Sequence, residues 1–223
     1  PAIPVEVGRR WTASCVVSSI FTLLSVEFGD DHRLVILGAV LLAAMGVRTE
    51  TQVRSRGDKS AATVITAQIY VLIFVVILLV TSIQQHESQA GLHLSVWAAN
   101  WFALLLSLSL PFLFIRFSSV ANFRLMSILL GWGTAYVLLS INYESCFYVA
   151  LCWQLQLWLE IESSVPRSKE KRLEHRDLAT AIMLLFLTIA SFFGTGNIAS
   201  VSSFELKSVY RFLTVFDPFL MGG

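Results

Sequence analysis

In a chain of 223 residues, hydrophobic side chains make up 56% and charged ones only 14%, with a mean hydropathy of +0.71; a soluble domain carries about a quarter charged residues. This is the composition of a membrane protein, and a formal net charge of +1 lacks the basic excess that nucleic-acid binding needs. Cys15, Cys146 and Cys152 are too few and too scattered for a disulfide framework, and no CxxC or His/Cys cluster has metal-ligand spacing, so redox and zinc chemistry find no support.

Crossing roughly 30 Å of hydrocarbon takes about 20 apolar residues in a helix. In chain order, Trp11–Val26 is short but plausible with interfacial ends, and Leu34–Val47 is the weakest run at 14 residues, with a re-entrant segment as the alternative. Ala61–Ile83 and Val96–Ile115 have the full length without a charge, and Leu125–Ile141 nearly so. Phe147–Ile161 and Leu178–Phe193 complete the series, and Val209–Gly223, which carries Arg211 and Asp217, reads as an eighth span cut short. The fold class expected is therefore all-α, a polytopic transmembrane helix bundle.

The basic residues test this parse, because Lys and Arg collect on the cytoplasmic side of short loops. With seven alternating spans, thirteen of the sixteen fall on the side that holds Arg9, Arg54, Arg124 and Lys169, and only Arg33, Lys207 and Arg211 lie opposite. The N-terminus is thus expected in the cytosol. The stretches "NYES" (Asn142–Ser145) and "SFFGTGNIASVSSFE" (Ser191–Glu205) are expected on the far side.

Small residues in the second run (Gly38, Ala39, Ala43, Ala44, Gly46) and the fifth (Gly131, Gly133, Ala135) predict close helix packing. Pro111 cannot donate to Ser107 and is expected to kink the fourth. Gln68, Asn100, Gln154 and Gln156 are polar at membrane depth and so are expected to face the bundle interior as interhelical glue, a lipid or ion pathway being the sharper alternative. Trp97, Trp101, Trp132, Trp153 and Trp158 read as interface anchors or packing residues.

No constellation for bond-making chemistry stands out. His86 and His93 share a loop seven residues apart, a weak metal spacing, and GxSxG, HExxH, P-loop and dinucleotide-binding motifs are absent, so no catalytic or metal-ligating residue is assigned. Gly194 and Gly196 are most simply a helix C-cap and tight turn, since glycine takes positive φ at little cost. A phosphate-binding nest with Thr195 and Asn197 is the alternative.

The run "FFGTGNIASVSSFELKSVYRFLTVFDPFLMG" (Phe192–Gly222) resembles the membrane region of the GPI ethanolamine phosphate transferases acting on the first mannose, the phosphatidylinositol-glycan class N family. "NYESCF" (Asn142–Phe147) resembles that family's preceding luminal turn. The resemblance implies a multi-pass endoplasmic reticulum enzyme that moves phosphoethanolamine from phosphatidylethanolamine to a GPI precursor glycolipid. It also implies that the chemistry belongs to a luminal, alkaline-phosphatase-like domain with divalent metal ions, zinc above all, lying before the membrane region. On this expectation residues 1–223 are a transmembrane fragment without that domain or any cofactor, inactive alone, which anchors the enzyme and presents its two lipid substrates. Tyr143, Glu144, Gly194, Thr195, Gly196, Asn197 and Glu205 are then the candidate substrate-binding residues on the luminal face. The competing class is a non-enzymatic polytopic lipid transporter or membrane scaffold.

Overall fold

A computed structural model describes residues 5–23, 31–87, 92–114, 120–164, 175–194 and 211–212. Within them seven helices follow in order: α1 (Val5–Leu23), α2 (His32–Ser55), α3 (Lys59–Glu87), α4 (Leu94–Phe114), α5 (Ala121–Leu139), α6 (Glu144–Ser164) and α7 (His175–Gly194). The all-α class holds. Five of the seven, α2, α3, α4, α5 and α7, are long and apolar enough to cross a membrane. In α1, Glu6, Arg9 and Arg10 occupy the opening turns, and α6 intersperses Gln154, Gln156 and Glu160 among its apolar residues.

Every helix begins or ends outside its apolar run, and α2 departs most. The 14-residue stretch that left a re-entrant turn open lies inside one continuous helix of 24 residues. Asp31 caps its start by accepting from the Arg33 N–H at 3.0 Å. The helix then runs on through the polar Arg48–Ser55 to Gly57, whose φ of +88° closes a tight turn that an L side chain disfavours. Asp58 caps α3 directly afterwards, accepting from the Ala61 N–H at 3.1 Å.

The chain divides into two compact units. The first comprises α1, α7 and α6 from Cys146 onward. Here Gln154 is 2% exposed, accepts from the Ser18 hydroxyl at 3.1 Å and donates to Cys15 Sγ at 3.3 Å, the interhelical glue expected of a polar group at membrane depth. Gln156 is only half-buried. Trp11 packs on Trp158 with ring centroids 5.5 Å apart. The outer face of α7 exposes Ile182, Leu185, Phe186 and Ile189, a surface suited to hydrocarbon rather than water.

The second unit holds α2 to α5, residues 140–145, and the pair Arg211 and Phe212. Its centre is α5, which packs on α2, α3 and α4 and has 61% of its apolar window buried, against 28% for α4. The small residues explain why. An added Cβ at Gly131 would lie 2.6 Å from Pro111 Cδ and 3.0 Å from the Ser107 carbonyl, the group that proline leaves without its helical donor. Helix α4 continues through Pro111 to Phe114, and α5 comes against it at that point. In α2, Gly38, Ala39 and Gly46 are buried as expected, but Ala44 is exposed because it falls on the opposite side of the helix. Gln68, 1% exposed, ties α3 to α5 by donating to the backbone carbonyl and hydroxyl of Ser127, each at 3.0 Å.

Candidate lipid-facing site

Five hydrogen bonds gather one end of the second unit. Asn100 on α4 donates to the Ser82 hydroxyl on α3 at 3.0 Å. The same amide donates to the Arg211 carbonyl at 2.8 Å. The Arg211 guanidinium donates to the carbonyls of Leu138 and, at 2.9 Å, Ser140, where α5 ends. Ser145, in the first turn of α6, donates through its hydroxyl to the Leu34 carbonyl on α2 at 3.1 Å. The start of α2, the end of α3, the start of α4, the end of α5 and the start of α6 therefore share one end, the side on which few basic residues fall.

The turn between α5 and α6 occupies this end. Ser140, Asn142, Tyr143 and Ser145 are buried, whereas Glu144 is half-buried as the first residue of α6. A carboxylate in a first helical turn is favoured by the helix dipole. Burial pushes the Tyr143 phenol above the ordinary tyrosine value, and the neighbouring Glu144 carboxylate pushes it further. The phenol thus stays protonated at neutral pH, a hydrogen-bond donor beside an anion. Close packing fixes the turn: an added Cβ at Gly38 would lie 2.7 Å from the backbone carbonyl carbon of Ser145.

Of the sequence-derived candidates, Tyr143 and Glu144 lie together in this turn. Gly194 belongs to the first unit, where it ends α7. Its role differs from the cap expected of it. Among the described residues only Gly57 is a glycine with positive φ, whereas an added Cβ at Gly194 would lie 2.7 Å from Phe147 Cε1, so close packing on that ring is what requires glycine. Thr195, Gly196, Asn197 and Glu205 lie outside the described residues. Among those described, no three His, Cys, Asp or Glu side chains are grouped to hold a metal, so the described residues do not fit a divalent-ion site.

The sequence places Arg211 in a truncated eighth span and gives it no structural role. It is 7% exposed, and its guanidinium satisfies the last carbonyls of α5, which have no partner within their own helix. The signal available was its place among the three basic residues on the sparsely basic side.

Residues 5–223 match the family described as Phosphatidylinositolglycan class N (PIG-N). The chain belongs to this family. The class N match thus runs through the upstream helices as well as the Phe192–Gly222 stretch. Among curated relatives, the GPI ethanolamine phosphate transferase 1 of Yarrowia lipolytica is 34% identical over 222 residues, covering 96% of this chain and 24% of the relative. Its namesake in Saccharomyces cerevisiae is 30% identical over 223 residues, covering 98% of this chain and 24% of the relative. The Homo sapiens protein of that name is 31% identical over 238 residues, covering 96% and 25%. The chain therefore spans about a quarter of the length of these class N relatives. No solved structure matches it.

Proposed function

We propose that the chain is the membrane portion of an endoplasmic reticulum transferase that moves phosphoethanolamine from phosphatidylethanolamine to the first mannose of GPI-anchor precursors. The observation that carries this reading is the class N match over residues 5–223, joined to relatives named GPI ethanolamine phosphate transferase 1. The role of this part is to anchor the enzyme by seven spans and to present two lipids whose head groups meet at the membrane surface. The N-terminus is cytosolic, and both the Ser140–Ser145 turn and the "GTGN" stretch are luminal. The distribution of basic residues and the gathering of helix ends around Tyr143 and Glu144 support that arrangement. In this reading the metal-dependent chemistry belongs to a part of the full-length protein outside these 223 residues.

The test is a transfer assay on the full-length protein in liposomes holding phosphatidylethanolamine and a mannosylated GPI precursor. Glu144→Ala and Asn197→Ala are expected to weaken the use of lipid substrate while the protein stays folded. Normal transfer and normal lipid binding in both variants would remove the luminal-surface role. Residues 1–223 alone are expected to give no transfer, and measurable product from them would overturn the division of labour.

A further inference from the structure

A cation in the interior of a membrane protein is costly to bury and is kept where it makes specific contacts. Arg211 makes two kinds. Its side chain reaches the carbonyls of Leu138 and Ser140, placing positive charge at the C-terminal end of α5, where the helix dipole favours it. Its backbone is fixed on another helix: Asn100, fully buried on α4, donates to the Arg211 carbonyl. Trp97 and Trp101 donate through their ring N–H groups to the Phe212 carbonyl at 2.7 and 3.4 Å. The Phe212 ring meets Trp101 edge-on with centroids 5.1 Å apart, and it packs in the core with Val75, Leu78, Ala103 and Leu138. Two consecutive residues thus join the first turns of α4 to the last turn of α5.

What they join leads directly into the turn that carries the candidate head-group residues. Ser140, whose carbonyl accepts from Arg211, is three residues before Tyr143 and four before Glu144. On the far side of the turn, Ser145 is held to α2 through the Leu34 carbonyl. We propose that Arg211 is a positioning residue for the lipid-facing turn: with Ser145 fixing one end, its guanidinium fixes the other, and together they set where Tyr143 and Glu144 stand. This rests on the reading of that turn as a head-group surface.

The test uses the full-length protein, with phosphatidylethanolamine varied in mixed micelles. Arg211→Met is expected to raise the KM for that lipid about tenfold with kcat changed less than about threefold, the pattern of lost ground-state positioning. Arg211→Lys restores a cation without the planar fork and is expected to recover part of the loss. Leu42→Ala, in the fully buried core of α2, supplies general destabilisation for comparison. Amide exchange over residues 139–145 is expected to quicken in Arg211→Met, and in Arg211→Lys should Arg211→Met fail to accumulate. An unchanged KM, a KM shift no larger than that of Leu42→Ala at an equal loss of Tm, or unchanged exchange in the turn each overturns the proposal. Absence of transfer by the wild-type protein would instead refute the functional reading, while the exchange measurement still decides whether Arg211 holds the turn.

Discussion

Gly38→Ala is expected to destabilise the full-length protein by about 3 kcal/mol, the upper range for overpacking a close-packed interior, and to lower its Tm by several degrees in detergent. The cause is local. The new methyl would stand 2.7 Å from both the carbonyl carbon and Cβ of Ser145. Backbone cannot rotate away as a flexible side chain can, so the first turn of α6 must move off α2. That displacement also stretches the 3.1 Å bond from the Ser145 hydroxyl to the Leu34 carbonyl. Because Glu144 is the neighbouring residue, transfer should fall along with stability. Gly8→Ala is the internal comparison: nothing lies within 4 Å of its added Cβ, and helix propensity favours alanine by about 1 kcal/mol. Its Tm should be unchanged or raised. A Gly38→Ala protein as stable as the wild type would refute the close approach of α2 to the turn.

The second large effect is a coupling. Gly131→Ala drives a methyl into the Pro111 ring, 2.6 Å from Cδ, and toward the Ser107 carbonyl at 3.0 Å. A loss of about 2 kcal/mol is expected in the wild-type background. Pro111→Ala removes the ring and supplies an N–H to the Ser107 carbonyl, so the same Gly131→Ala change should cost less in that background, with a coupling of about 1–2 kcal/mol between contacting positions. Relief stays partial because the Ser107 carbonyl remains. Additive losses of Tm-derived stability across the four proteins would show that α4 and α5 do not meet at this pair.

These two glycines mark how far the sequence could be read. A small residue in an apolar run announces a close neighbour, which is backbone at Gly38 and Gly131 and side chains at Gly46. It does not say which: the partner of Gly38 is more than a hundred residues away in a turn, and Ala44 belongs to the same run of sequence yet faces the opposite side of the helix and is exposed. Apolar runs report depth in hydrocarbon, not helix length, which is why Leu34–Val47 looked too short while α2 runs eight residues past it to Ser55. Gly194 reads in the sequence as a helix cap that uses positive φ, whereas in the structure its φ is not positive and the Phe147 ring lies against it. The place of Tyr143 and Glu144 between α5 and α6 was legible, because a polar pair between two apolar runs has few other places to be. Arg211 was not, since its role depends on two carbonyls about seventy residues upstream that only the folded α5 leaves exposed.

The length of α3 has a mechanical consequence. Its 29 residues extend about 43 Å at 1.5 Å per residue, whereas the hydrocarbon core is about 30 Å thick. The surplus must tilt the helix or carry its end past the lipid tails. At its first residue α3 is joined to α2 by a tight, doubly capped turn flanked by Arg54, Arg56 and Lys59. On the membrane placement proposed above, this hairpin is expected to work as a depth stop. Arg56 and Lys59 at its tip would resist being drawn into the bilayer, and because α2 and α3 pack on each other that restraint would pass to their opposite ends.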